Sequence, residues 1–235
     1  MKENKKPNIV VLIPAFNEEE SIGKVIDEIP KEWVSEIIVC NNNSNDSTEN
    51  VALSHGATVV NQPLPGYGNA CLKGLDYLRK QDIKPDIVVF IDGDYSDFPE
   101  ELPLVVQPIL DGHYDMVIGS RALGQRENGS MQPQQIFGNW LATTLLRWFY
   151  GYHFTDLGPF RAISWSALEQ LKMDDKNYGW TVEMQVKAAK HKFRCTEVAV
   201  NYRNRIGVSK VSGTVKGTIM AGYKILWTIF KYTLR

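Results

Sequence analysis

Short runs of consecutive apolar residues punctuate the first half of the chain. They cover 8–13 (Asn8-Ile-Val-Val-Leu-Ile13), 36–40, 57–60, 86–91 and 115–118. Each is rich in Val and Ile and too short for a buried helix, which predicts strands covered on both faces. Stretches with helical spacing lie between them, around 18–29, 46–54, 68–81 and 99–111. Such alternation predicts an α/β fold, a mainly parallel central sheet with helices on both faces. In open sheets of this kind ligands bind beyond the carboxyl ends of the strands. The polar residues that follow each run are therefore the first candidates: Asn17 and Glu18, Asn41 to Asp46, Asp92 and Asp94, and Arg121.

The second half has a different pattern. Residues 124–135 are polar and rich in Gly, Asn, Ser and Pro, which predicts a mobile loop. An amphipathic helix follows over 136–150, with Phe137, Leu141, Leu145 and Trp148 on one face and Thr143 and Arg147 on another. Residues 215–234 are mainly apolar but carry Lys216, Lys224 and Lys231. At helical spacing these lysines fall within an arc of about 80°. The segment approaches the length that spans a bilayer, yet three lysines along it make spanning costly. An interfacial or packed helix is the expectation. Both helices could equally cover the sheet or form a dimer contact, and the oligomeric state stays open.

Composition adds little until charge is divided along the chain. The 235 residues are 43% hydrophobic and 23% charged, ordinary for a globular chain, and a single domain over 1–235 is expected. Cys40, Cys71 and Cys195 are widely spaced with no CxxC pair, so neither a disulfide framework nor a zinc site is indicated. No leader is evident, and a reducing, cytoplasmic setting is the simpler expectation. Residues 1–186 hold 15 Lys/Arg against 26 Asp/Glu, while 187–235 hold 11 Lys/Arg against Glu197 alone. The basic end suggests a phosphate-bearing or membrane partner. A nucleic-acid role is not expected, since the first half is acidic and no recognisable binding motif is present.

Asp92-Gly-Asp94 follows an apolar strand run. Two carboxylates one residue apart at a strand end can share a divalent cation, and oxygen donors favour Mg²⁺ or Mn²⁺ with phosphates completing the shell. A departing diphosphate needs such an ion. A lone DxD is often only a turn with solvated acids; here the preceding strand and Asp97, Pro99 and Glu100 after it strengthen the metal reading.

Taken with Pro14-Ala-Phe-Asn-Glu-Glu19 and Gly119-Ser-Arg121, this motif resembles the signature of family 2 glycosyltransferases with the GT-A fold. Asp156-Leu-Gly-Pro-Phe-Arg-Ala162, Gly179-Trp-Thr-Val-Glu-Met-Gln185 and Tyr202-Arg-Asn-Arg-Ile-Gly-Val-Ser-Lys210 are similar to the dolichyl-phosphate mannose and glucose synthase branch. The resemblance implies that Pro14, Ala15, Asn17, Glu18 and Asn41 line the nucleotide pocket. It implies that Asp92 sits near ribose, sugar and metal and that Asp94 ligates the metal. Arg121, Arg205 and Lys210 would contact donor diphosphate or acceptor phosphate, with Asp156, Arg161 and Ser209 on the acceptor side. Asn41 departs from the family's usual Asp, which leaves UDP against GDP open. Gly66-Tyr-Gly-Asn69 reads mainly as a tight turn opening the 68–81 helix.

The expected function is inverting transfer of a hexose from a nucleotide sugar to a polyprenyl or dolichyl-type lipid phosphate. Residues 1–121 would serve the donor and 122–235 the acceptor, with peripheral binding at the cytoplasmic membrane face. An ionised phosphate needs no strong base; a hydroxyl acceptor would need one, with Glu183 the candidate and Asp156 a weaker one. Aromatic residues in the two late helices, Trp140, Trp148, Phe149, Trp227 and Phe230, favour the lipid. The alternatives are transfer to a hydroxyl of a soluble glycan or small molecule, and a nucleotide-sugar-binding module without turnover.

Overall fold

The computed structural model describes residues 6–207 and 215–233. Among them seven strands form one sheet: β1 (Ile9–Ala15), β2 (Glu36–Asn41), β3 (Thr58–Asn61), β4 (Ile87–Phe90), β5 (Met116–Ser120), β6 (Arg161–Ser164) and β7 (Cys195–Ala199). Their order is β3-β2-β1-β4-β6-β5-β7. The helices are α1 (Ile22–Glu28), α2 (Thr48–Ser54), α3 (Tyr67–Lys80), α4 (Leu102–Leu110), α5 (Pro133–Tyr150), α6 (Trp165–Leu171), α7 (Trp180–Lys190) and α8 (Val215–Thr233).

The five apolar runs become β1 to β5, and their continuous hydrophobicity has a plain cause. Successive side chains of a strand point to opposite faces, and both faces are covered. Val10, Leu12, Ile38, Cys40, Val88 and Phe90 pack with α3, α5, α6, α7 and α8. Ile9, Val11, Ile13, Ile37, Val39 and Val89 pack with α1, α2 and α4. β1 pairs in parallel with β2 and β4, and β2 with β3.

β6 breaks the parallel pattern, running antiparallel between β4 and β5. It has functional consequences. An antiparallel strand begins where its neighbours end, so Arg161 enters the sheet opposite Phe90 and Ile118, at the edge that carries Asp92 and Arg121. β7 pairs in parallel with β5 up to Ala199 opposite Ser120, and the chain then crosses back over this edge through residues 200–207.

The stretch expected to be loop over 124–135 is partly helical: α5 starts at Pro133, with a capping box between Gln132 and Gln135, an arrangement that satisfies the first free N–H groups of a helix. It ends at Gly151 in the left-handed conformation. α8 packs against α5 and α7, with Ile229 and Tyr232 buried and Tyr223, Trp227 and Phe230 outward. Two of its lysines have acidic neighbours within the chain. Lys224 pairs with Asp175 at 2.9 Å and Lys231 approaches Asp174 at 3.8 Å; the side chain of Lys216 lies outside the described residues. Other cations of the basic end are likewise paired within the chain, Lys187 with Glu183, Arg194 with Asp115 and Arg203 with Glu28. Much of the charge asymmetry is therefore neutralised internally.

Candidate active site

The strand ends β1, β2 and β3 are level, with Ala15 opposite Asn41 and Asn41 opposite Asn61. The loops that leave β1 and β2 are laced together. Asn17 adopts φ 53°, a left-handed conformation that Asn tolerates better than most residues. Its N–H donates to the Ser44 hydroxyl, and its side-chain oxygen accepts from the Asn45 N–H. The Glu18 N–H donates to the Thr48 hydroxyl. Glu19 and the 46–47 turn exchange two more bonds. A cavity of about 190 Å³ opens here, lined by Asn17 to Ser21, Asp46, Ile206 and Gly207. Asn41 is buried; its amide donates to Asn61 and its oxygen accepts from the Ser44 N–H. The first bond ties the ends of β2 and β3 together and the second closes the turn after β2; an amide supplies the donor that a carboxylate would lack.

Asp92 and Asp94 follow β4. Asp94 is almost fully buried. Its Oδ1 accepts from the N–H and hydroxyl of Ser96 at 3.0 and 2.5 Å, and its Oδ2 pairs with Arg205 Nη1 at 2.8 Å. Asp92 Oδ1 accepts from the Tyr67 hydroxyl at 2.9 Å. Burial, and then the neighbouring Asp94 charge, push the Asp92 carboxyl up to about 7. Asp97, three residues on, is enclosed, and neither of its oxygens has a hydrogen-bond donor. Burial first, then the Asp92 charge, hold its carboxyl well above the usual range.

This acid-rich turn is backed by two cations. Arg121 grips Asp156 through Nε and Nη2 at 2.8 and 2.7 Å and lies over the Tyr202 ring. Burial opposes its charge, but Asp156 keeps the guanidinium well above its ordinary value. Arg203 spans the other side, stacked on Tyr95 and Phe98 and paired with Glu28 at 2.6 Å. Tyr95 sits at φ 65°, a costly conformation for an aromatic residue. The Arg203 stack and a hydrogen bond from its hydroxyl to Glu28 hold it there.

The structure thus brings Asp92, Asp94, Arg121 and Arg205 to one edge of the sheet. It encloses two other candidates. Arg161 is fully buried and donates to the carbonyls of Leu157, Gly158 and Thr181; burial lowers its guanidinium to about 10. Glu183 is also fully buried, accepting from the Asp174 and Asp175 N–H groups and the Tyr232 hydroxyl and pairing with Lys187 at 2.6 Å. Neither is open to a ligand in this conformation. Asp156 is engaged by Arg121 and by its backbone links to Glu197 and Gln185. Ser209 and Lys210 lie outside the described residues.

Tyr67, Tyr202 and Arg203 lie within stretches quoted from the sequence but have no site role there. Tyr67 had a signal: Gly66 adopts φ 132°, and a Cβ on Gly68 would meet the Asp175 carbonyl at 2.0 Å. The two glycines let the turn press against the 175–177 loop and aim the tyrosine between them at Asp92.

A larger cavity, about 460 Å³, opens beside the Arg121–Asp156 pair. Its walls come from the loop after β5, from α5 and from residues 153–156. Arg126, Arg147 and His153 supply cationic or titratable groups, and Met131, Ile136 and Trp140 supply apolar surface.

Paired acids and two recesses at the carboxyl edge of a mainly parallel sheet define an α/β protein whose ligand site lies at its strand ends. The chain belongs to glycosyl transferase family 2, whose pattern matches residues 10–172. An uncharacterised glycosyltransferase of Mycobacterium tuberculosis is 35% identical over 216 residues, covering 91% of this chain and 94% of its own. An undecaprenyl-phosphate mannosyltransferase of Micrococcus luteus is 27% identical over 226 residues, 89% of each chain. Among solved structures, glucosyl-3-phosphoglycerate synthase from Mycobacterium tuberculosis in complex with Mn²⁺, UDP-glucose and phosphoglyceric acid superposes with a TM-score of 0.76. It is 25% identical, covering 97% of this chain and 80% of that one. The fold is GT-A, and the protein is a glycosyltransferase.

Proposed function

We propose that this glycosyltransferase moves a hexose, with inversion, from a UDP- or GDP-linked donor to a polyprenyl-type lipid phosphate. The cavity beside Arg121 carries the proposal. It combines Arg126, Arg147 and His153 with Ile136 and Trp140, the mixture that a phosphate on an apolar chain requires. The cavity opens along α5, whose Phe137, Trp140, Trp148 and Phe149 are outward. The lipid-phosphate activity in the name of the Micrococcus luteus relative supports the same acceptor class.

A divalent ion fits the donor side. Asp92 and Asp94 offer oxygen ligands, and a cation already sits on Asp94 in the form of Arg205. Among the described residues no three His, Cys, Asp or Glu side chains form a ready cage. Mg²⁺ and Mn²⁺ take one or two carboxylates and complete their shell with water and phosphate. When bound, the ion would neutralise charge on the departing diphosphate. The Mn²⁺ and UDP-glucose of the structural neighbour support this assignment.

The chain's own residues do the rest. Pro14, Ala15, Asn17, Glu18 and Asn41 form the nucleotide side, with Tyr67 fixing the orientation of Asp92. Arg121 and Arg205 provide cations for donor or acceptor phosphate, placed for charge that grows as the bond breaks; Lys210, outside the described residues, is proposed as a further one. A lipid phosphate arrives ionised and needs no base, in keeping with a Glu183 whose oxygens are engaged. On this reading 1–121 serves the donor and 122–235 the acceptor. Among the described residues no helix is long and apolar enough to cross a membrane; the outward aromatic side chains of α5 and α8 support peripheral attachment to the cytoplasmic face. A small phosphorylated acceptor is the second reading, favoured by the phosphoglyceric acid in the structural neighbour.

The test is a screen of UDP- and GDP-hexoses with Mn²⁺ or Mg²⁺ against polyprenyl phosphate, phosphoglycerate and soluble glycans. Transfer to polyprenyl phosphate is expected, lost in Asp94→Ala with the fold retained by circular dichroism. The Arg126→Ala/Arg147→Ala double variant should lose lipid-phosphate turnover while keeping slow donor hydrolysis. Full activity in EDTA would rule out the metal role, and transfer only to soluble acceptors would rule out the lipid.

A further inference from the structure

We infer that Arg205 is an internal stand-in for the divalent cation, seated on Asp94 until a metal–nucleotide complex displaces it and turns its guanidinium toward phosphate. The inference rests on the reading of Asp92 and Asp94 as the metal-holding acids.

Asp94 has one oxygen to offer. Ser96 occupies Oδ1 with both its N–H and its hydroxyl, and Arg205 Nη1 sits on Oδ2 at 2.8 Å. A Mg²⁺-sized ion on the same oxygen would lie at about 2.0–2.1 Å. A dication and a guanidinium brought together on that oxygen repel each other, so the metal and Arg205 compete for it. An acid this enclosed is costly to leave without a counter-charge, which explains why the chain supplies one of its own.

The exchange requires only a side chain to swing. The segment bearing Arg205 is anchored by its backbone. The Arg203 N–H donates to the Ser96 carbonyl, and the Ile206 N–H donates to the Asp94 carbonyl. Asp97 and Tyr202 form a bridge, and Arg203 is clamped by Tyr95, Phe98 and Glu28. These links flank Arg205 and leave its guanidinium held by Asp94 and by a side-chain hydrogen bond with Tyr202. Ile206 and Gly207, next along the chain, line the 190 Å³ cavity with the β1 loop. A guanidinium released from Asp94 therefore starts beside the donor loops, and its planar fork suits a phosphate. Metal alone must break the Arg205 pair without compensation. Metal arriving with a diphosphate gives Arg205 a new partner, so the two should bind cooperatively.

The experiment is a Mn²⁺ titration followed by the electron paramagnetic resonance signal of the free ion, with and without UDP or GDP. It uses the full chain as wild type, Arg205→Ala, Arg205→Lys and Asp94→Ala, each checked by circular dichroism. Without nucleotide, Arg205→Ala should bind Mn²⁺ about tenfold or more tightly than wild type, the scale of one charge-assisted hydrogen bond. Arg205→Lys should remain close to wild type, because a cation is retained. The enhancement by nucleotide should shrink in Arg205→Ala. A purely structural Arg205 predicts no gain in affinity. Equal or weaker Mn²⁺ binding by a folded Arg205→Ala, with wild type binding normally, overturns this inference and leaves the metal site standing. Absence of Mn²⁺ uptake by wild type even with nucleotide overturns both.

Discussion

Asp92 stores a protonation equilibrium in the middle of the site. Its carboxyl is raised to about 7, first by burial and then by Asp94. A raised carboxyl means that the folded chain holds the proton more tightly than the unfolded one. The resulting stability is complete below the ordinary carboxylate range and is lost as pH rises through about 7. In EDTA the melting temperature should therefore fall between about pH 4 and pH 7, and Asp92→Asn should flatten part of that slope. Asp97, raised in the same direction, would account for a remainder. Divalent cation with nucleotide should restore stability at the alkaline end, where the acids are ionised and free to bind. A melting temperature that stays level over this range in the wild-type protein would contradict the burial described for both acids.

The elements that carry these residues are held by buried polar contacts as much as by apolar packing. Glu183 of α7 accepts from the 174–175 backbone and from Tyr232 of α8, and pairs with Lys187, itself mostly buried. Removing one partner of an enclosed pair leaves an uncompensated charge and typically costs about 3–5 kcal/mol. Glu183→Ala should lower stability by that amount in urea unfolding and loosen α8, whereas Glu183→Gln should retain most turnover without shifting its pH profile. A large loss of turnover in a stable Glu183→Gln would return it to a catalytic role. From sequence, Glu183 carried no sign of this use, because its donors lie in a connecting loop and a distant helix. The same limit explains other gaps. β1 to β5 were legible because each is an uninterrupted apolar run, and Asp92, Asp94 and Arg121 because they follow such runs. β6 is a four-residue strand, Arg161–Ser164, that begins with a charged residue, and its antiparallel course is set by neighbours remote in sequence. Tyr67 was half legible, its glycines marking a turn whose direction only the 175–177 loop fixes. Arg205 was legible as a cation for phosphate but not as the partner of Asp94, a contact made across 111 residues of chain.

At the scale of the whole molecule the donor edge is acidic and closely tied, while the opposite half turns aromatic surface to solvent. Trp140 is 59% exposed, Trp148 76% and Trp227 53%. Phe149 of α5 and Phe230 of α8 meet edge to face, so the two helices present one continuous surface. The lysines of α8 whose side chains are described lie beside Asp174 and Asp175, so their charge is partly offset and aromatic side chains dominate what the two helices turn outward. Attachment to a bilayer should then depend on Trp and Phe insertion and only weakly on salt. Burying about 100 Å² of apolar area per tryptophan at about 25 cal/mol/Å² contributes about 2.5 kcal/mol each. Trp148→Ser/Trp227→Ser should therefore weaken co-sedimentation with phosphatidylglycerol vesicles by well over tenfold. The melting temperature should hardly move, since both side chains are already largely exposed. If the surface instead joins two copies of the chain, the same variant would convert a dimer to a monomer in sedimentation velocity and leave vesicle binding unaltered. If it serves the lipid acceptor, transfer to polyprenyl phosphate in vesicles should fall while transfer to a short-chain analogue in solution persists, because Arg121 and the cavity beside it are untouched.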